Sequence, residues 1–191
     1  MLTTGRNTSG DSTTADWTPT SAGNIVQRLI QEHRKWRSKD FPTIAQLFEE
    51  ASRPESEQPC LGPLRAAFRR LRAEMEGHMK REESVLFPAI LDAQGGEHSK
   101  GFGSIRNPIG MTEQEHHWET ERLDKMRELA GDYKLPENAS EKLRVLYREL
   151  EALEAAMHAH SHLESSILFA RALAAEKSRN GHPEASATQP A

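Results

Sequence analysis

The sequence predicts an all-α protein, an antiparallel up-down-up-down four-helix bundle, on three observations. Four long stretches carry apolar residues at steps of three and four, the spacing of one helix face. No stretch alternates apolar and polar residues in the manner of a strand. The connections between the four stretches are short, which suits neighbouring antiparallel helices. At 191 residues and 36% hydrophobic content, the chain is sized for one ordinary core.

The first pattern runs from about Gly23 to Ala51, with Ile25, Leu29, His33, Trp36, Ile44, Leu47 and Phe48 along its stripe. Pro42 predicts a kink or short break near Phe41. The second begins near Pro63, a residue suited to a first helical turn. Its seam is Leu64, Phe68, Leu71, Met75, His78, Glu82, Val85 and Ala89. A Gly-rich loop follows; it has no strand before it and no Gly-Lys-Ser/Thr ending, so it is not read as a phosphate loop. The third helix spans about Ile109 to Leu129, with His116, Leu123, Met126 and Ala130 on its inner line. The fourth starts behind Ser140, a natural N-cap, and reaches Lys177. Its seam is Leu143, Leu146, Leu150, Leu153, Met157, His160, Glu164 and Ile167. Residues 1–20 and 178–191 lack periodicity and read as a disordered leader and tail around a bundle at 21–177.

Composition removes several function classes. Net charge is −4 with no long single-sign block, so no nucleic-acid or membrane surface is expected. No apolar run approaches the ~20 residues that span a bilayer, and the polar N-terminal stretch has no secretory apolar core. Cys60 is the one cysteine, which excludes an internal disulfide or a thiolate-rich cluster. A cytoplasmic location is the expectation.

Two long seams that are otherwise apolar each admit one histidine and one glutamate, side by side. They do so within the same sentence, written twice: His78-Met-Lys-Arg-Glu82-Glu-Ser-Val-Leu-Phe87 and His160-Ser-His-Leu-Glu164-Ser-Ser-Ile-Leu-Phe169. Residues at i and i+4 share a helix face. A further histidine precedes each copy at nearly equal distance, His33 by 45 residues and His116 by 44. A lone glutamate in a bundle core costs several kcal/mol unless it is paired or bound to metal. A single His-x-x-x-Glu pair is ordinarily a solvated surface pair, yet here both fall on the apolar seam. Four imidazoles and two carboxylates without sulfur suit a pair of iron ions, or manganese, better than structural zinc. If Glu82 and Glu164 bridge, each ion takes two histidines and one oxygen from each glutamate. An oxo or hydroxo bridge then supplies a fifth ligand, and an octahedral position stays open for a small molecule. Ferritin-like bundles use Glu-x-x-His instead, in the reverse order.

These residues give the chain a resemblance to the hemerythrin-like (HHE cation-binding) domain, nearest to the di-iron domain of the repair-of-iron-centres proteins. The similarity runs from about residue 24 to 171. It rests on His33, the segment HMKREESVLFP at 78–88, the Glu115-His116 pair and HSHLESSILF at 160–169. The resemblance implies terminal ligands at His33, His78, His116 and His160, and bridging carboxylates at Glu82 and Glu164. It also implies binding of nitric oxide or oxygen, or a part in mending damaged iron–sulfur clusters, with an iron–sulfur client as partner. Oxygen-carrying hemerythrins place a further histidine four residues after the third-helix ligand, where this chain has Thr120. The family's repair proteins carry a cysteine-containing domain ahead of the bundle, where the leader here has no cysteine, and often a histidine in the loop that here reads SRPESEQPCLG.

Smaller features read as follows. His117, His158 and His162 fall off the inner lines and are expected in solvent. Glu119, one turn from His116, is either an orienting group or a surface carboxylate. Met75 and Met157 precede the two pairs as apolar packing. Glu83 is expected to face solvent, and Cys60 to be an incidental loop residue. Three roles fit the whole: repair or iron donation, which requires labile iron; sensing or storage of O2 or NO, which requires reversible binding; and an enzyme reducing NO or decomposing peroxide, which requires turnover.

Overall fold

A computed structural model describes residues 20–51, 61–93 and 104–180. All regular structure among them is helical. The first rod, 22–51, joins α1 (Ala22–Lys35) to α2 (Phe41–Ala51) through a π-helical turn at Trp36–Asp40. The second, 61–93, joins α3 (Leu61–Arg81) to α4 (Phe87–Ala93) through a π turn at Glu82–Leu86. The third is α5 (Arg106–Leu129). The fourth, 141–180, joins α6 (Glu141–Leu163) to α7 (Ala170–Asn180) through a π turn at Glu164–Phe169. Ser21 and Ser140 cap α1 and α6, each hydroxyl accepting a backbone N–H three residues on. The fourth rod therefore continues past Lys177, where the sequence places the start of the tail. Cys60 and the Gly-rich stretch 95–103 lie outside the described residues.

The π turns replace the break expected at Pro42. Proline lacks an N–H, and its ring crowds the carbonyl four residues back. Phe41 and Phe87, just before Pro42 and Pro88, bond five residues back, to the carbonyls of Trp36 and Glu82. The wider turn takes up the misfit and the rod runs on. Ser38 and Ser84 back-bond the carbonyls of Arg34 and Lys80 beside these turns, a habit that bends helices.

A π turn also adds a residue to the seam, and this corrects two expectations. Val85 is exposed and Leu86 buried in its place; Ile167 is half-buried while Leu168 and Phe169 are buried. A strict 3.6-residue count cannot anticipate the slip. We expect Val85→Ser to change stability by less than about 0.5 kcal/mol. Leu86→Ser, placing a hydroxyl in a filled core, is expected to cost about 2–4 kcal/mol in urea unfolding. Equal costs would contradict the π register.

Packing follows the seams. α2 lies on α3 and α6, α3 on α5, and α4 on α1 and α7. Two apolar clusters result. One gathers Phe41, Phe48, Phe68, Leu71, Leu123, Leu146, Leu150 and Met157. The other gathers Ile25, Leu29, Leu86, Phe87, Ile90, Ile109, Leu168 and Phe169. The seam histidines and glutamates fall between them, so the polar layer divides the core.

Two buried carboxylates fasten the chain on either side of α5. Glu176 accepts the Ile105 N–H at 2.8 Å, which lets α5 begin at Arg106, ahead of the expected Ile109, with Pro108 in its first turn. After α5 the chain turns through Gly131, Asp132 and Tyr133, all with left-handed φ between 56° and 60°. Only the glycine adopts this freely. Tyr133 is held there by its hydroxyl, which donates to buried Glu154 at 2.9 Å, while Arg127 donates to the same carboxylate at 2.8 Å.

Candidate metal centre

The polar layer contains all six residues that the sequence singles out. His33 comes from α1, His78 from α3, His116 from α5 and His160 from α6, while Glu82 and Glu164 each open a π turn. All six are buried, Glu82 and Glu164 completely. The helices differ but the geometry repeats: every imidazole turns Nε2 inward.

His78 Nε2 lies 3.1 Å from Glu82 Oε1, and His33 Nε2 lies 3.3 Å from Glu82 Oε2. His116 Nε2 lies 3.0 Å from Glu164 Oε2, and His160 Nε2 3.6 Å from Glu164 Oε1. The two oxygens of each glutamate thus face different histidines. The donor atoms form two groups, His78 with Glu82, His116 and Glu164, and His33 with Glu82 and His160, each within 4.8 Å of one another. Glu82 belongs to both.

The outward Nδ1 atoms are occupied. His33 Nδ1 lies 2.9 Å from Glu83, His78 Nδ1 2.9 Å from Glu115, and His160 Nδ1 2.9 Å from Glu32. His116 Nδ1 meets the Ser165 hydroxyl at 3.3 Å. A carboxylate accepts and never donates when ionised, so it fixes a proton on Nδ1, and in the neutral ring that leaves the Nε2 lone pair facing the interior. His33 and His160 then point two lone pairs at each other across 3.2 Å. That arrangement asks for a cation between them.

Unmet polar atoms make the same request. Among the described residues, the buried side-chain atoms without a hydrogen-bond partner are His78 Nε2, His116 Nε2 and both oxygens of Glu82 and Glu164. Each orphan costs roughly 1–3 kcal/mol when nothing satisfies it. All of them sit in this one layer and all are nitrogen or oxygen donors. The residues present therefore fit hard or borderline metal ions, iron included.

Protons distribute unevenly over the layer. Burial pushes Glu82 up, but the imidazoles of His33 and His78 outweigh it and hold the carboxyl below the usual range. Glu164, equally buried and facing the Glu82 charge, is pushed well above it. Burial lowers His78, yet Glu115 and Glu82 more than offset this and raise it to about 10. Burial, reinforced by the neighbouring His78 charge, lowers His116 to about 4. His160 is lowered chiefly by burial. Two like carboxylates in one dry layer cannot both ionise freely without positive charge.

One expectation about the neighbours needs correction, and one left open is decided. Glu83 does not simply face solvent: it is half-buried between His33 and Arg37. Glu119 is buried rather than a surface carboxylate, with Ser161 donating to it at 3.4 Å, and burial raises it to about 7. It falls on the inner line between His116 and Leu123, where its spacing places it. His117, His158 and His162 are exposed, as expected, and Met75 and Met157 are buried packing.

The chain belongs to the hemerythrin HHE cation-binding domain family, whose model matches residues 24–172. Its similar proteins include the iron-sulfur cluster repair protein YtfE of Yersinia pestis strains Pestoides F and Angola, each 29% identical over 162 residues. The same-named protein of Yersinia pseudotuberculosis (strain IP 31758) is 28% identical. In each case the alignment covers 84% of this chain and 70% of the relative. No helix among the described residues is long and apolar enough to cross a membrane.

Proposed function

We propose that this protein is a non-haem di-iron protein that binds NO or O2 species under nitrosative or oxidative stress and supplies iron for iron–sulfur cluster repair. The observation that carries this reading is the layer itself: four inward Nε2 atoms around two fully buried carboxylates, with both carboxylates and the Nε2 atoms of His78 and His116 lacking any hydrogen-bond partner. His33, His78, His116 and His160 would hold the ions as terminal ligands, and Glu82 and Glu164 would bridge them, within an antiparallel bundle. Iron in such a set supplies an open coordination position for a diatomic molecule and accessible one-electron chemistry. Manganese fits the same donors. The relatives named as repair proteins support the client assignment, and a cytoplasmic setting follows from that role.

The chain's own residues prepare the site. Glu32, Glu83 and Glu115 fix three imidazoles by their outer nitrogens, which raises the basicity of the inner ones. The flanking apolar clusters limit water around the ligands. Glu119, buried close enough to feel the charges of His78 and Glu82, favours one further reading, an enzyme that reduces NO and draws its proton from this carboxyl.

Ferrous protein titrated anaerobically with NO tests the proposal. We expect a spectral change that saturates at one or two NO per chain. Iron should then pass to a hydratase whose iron–sulfur cluster has lost one iron but kept its sulfides, and restore its activity. No spectral response would sink the ligand-binding role, and a response without transfer would leave a sensor or store. Sustained NO consumption with a reductant, lost in Glu119→Gln, would favour the enzyme.

A further inference from the structure

We infer that the two metal positions are unequal, and that Ser165 makes them so: the ion between His78 and His116 is the exchangeable one. This rests on the di-iron reading above.

The duplicated segment exposes the difference. Glu83 follows Glu82, and Ser165 follows Glu164, at the same place in the two copies. Each faces Nδ1 of the upstream histidine in its own half, Glu83 at 2.9 Å from His33 and Ser165 at 3.3 Å from His116. The residues ahead of the upstream histidines form the other matched pair. Glu32 serves His160 and Glu115 serves His78, both at 2.9 Å. Four equivalent outer places therefore exist, and carboxylates fill three. Each carboxylate is itself held by an arginine: Arg28 on Glu32, Arg37 on Glu83, Arg81 on Glu115. The fourth place has a hydroxyl. Where Arg37 stands four residues after His33, Thr120 stands four after His116 and donates to the His116 carbonyl at 3.0 Å.

A carboxylate that accepts the Nδ1 proton gives the ring imidazolate character and strengthens Nε2 as a donor; losing such a partner typically costs ten- to a hundredfold in metal affinity. A neutral hydroxyl at 3.3 Å does this poorly. The weakened ring, His116, pairs with His78 around one position. His33 and His160, both carboxylate-backed, define the other.

Enclosure separates the positions in the same direction. Phe87 on His33 at 5.9 Å and Phe169 on His116 at 6.2 Å stack alike, but Trp36 packs only on the other pair, 4.8 Å from the His160 ring and 6.1 Å from His33. A cavity of about 330 Å³ between α3 and α5 instead reaches His78, lined there by Glu115, Trp118 and Glu119. An incoming chelator meets the His78–His116 position first.

Full-length protein loaded anaerobically with two ferrous ions per chain and challenged with excess ferrous chelator tests this. The wild type should lose one iron about tenfold faster than the other. Ser165→Glu, which makes the second copy match the first, should slow the fast phase towards the slow one. In Mössbauer spectra of ⁵⁷Fe-loaded protein the same variant should draw two distinct ferrous doublets together. Glu83→Ser, the converse change, should speed the slow phase, and it carries the test if Ser165→Glu folds poorly. Release of both irons in one phase from the wild type, or an unchanged slow phase in Glu83→Ser, would overturn the proposal while leaving the di-iron reading intact. A chain that never takes up two ions overturns both.

Discussion

Glu82→Ala is expected to empty both metal positions at once. Glu82 is the one residue common to the two donor groups, its Oε1 facing His78 and its Oε2 facing His33. Removing a terminal imidazole such as His33 takes one ligand from one ion and should leave partial occupancy. Removing Glu82 takes a ligand from each and withdraws the charge that offsets two cations in a dry layer. Iron after anaerobic loading should fall from about two per chain to near zero. The metal-free variant should also lose about 3 kcal/mol in chemical unfolding, the order found when one member of a buried charged set is removed. Glu164→Ala, which removes the other fully buried carboxylate of the layer, should also lose metal and stability together. Glu121→Ala, an exposed carboxylate, should change neither. Two firmly held irons in Glu82→Ala would end the bridging assignment.

Metal uptake should release protons, and affinity should climb steeply with pH. Ligation needs free lone pairs on all six groups. Without metal, His78 is raised to about 10 and carries a proton at neutral pH, and Glu164 is pushed well above the carboxylate range, which favours its protonated form. Glu82 is held low and is already ionised; His116, lowered to about 4, and His160, also lowered, are already neutral. Loading therefore expels the His78 proton, and the raised Glu164 adds to the release. Each expelled proton makes the affinity rise about tenfold per pH unit, so two give about a hundredfold. The sign follows: acid favours the proton-bound, metal-free form, and alkali the metal-bound one. Because metal binds the folded state, the stabilisation it adds should grow with pH as well, by about 1.4 kcal/mol for each tenfold of affinity at fixed excess metal. Calorimetric titrations in buffers of different ionisation enthalpy would count the protons. Zero release, with affinity flat between pH 6 and 8, would refute the proton distribution described above.

Most of the site was legible because the chain writes it twice. His78 with Glu82 and His160 with Glu164 sit on apolar seams where nothing else polar appears, and the matched spacings of His33 and His116 complete the set. The outer partners were harder. Glu83 looks like a surface residue beside a ligand, and only the crossing of α1 brings it to His33 and Arg37. Yet a signal existed: a Glu-His pair recurs at 32–33 and 115–116, and both glutamates turn out to hold a histidine of another helix. The misplacement of Val85 and Ile167 has a different origin. Sequence periodicity assumes a constant turn, and a π turn adds a residue exactly once without changing composition. Pro42 and Pro88 mark two of these turns, but the third, at Glu164–Phe169, has no proline after it. The Tyr133–Glu154 fastening depends on a left-handed turn that neither residue type advertises.

The account stands on His33, His78, Glu82, His116, His160 and Glu164 forming one di-iron centre. Iron counting together with Mössbauer spectroscopy on protein loaded anaerobically with ⁵⁷Fe and then oxidised by air tests this most directly. About two irons per chain, spin-coupled into a diamagnetic ferric pair, is the result these donors predict. One iron per chain, or two magnetically isolated irons, would contradict it.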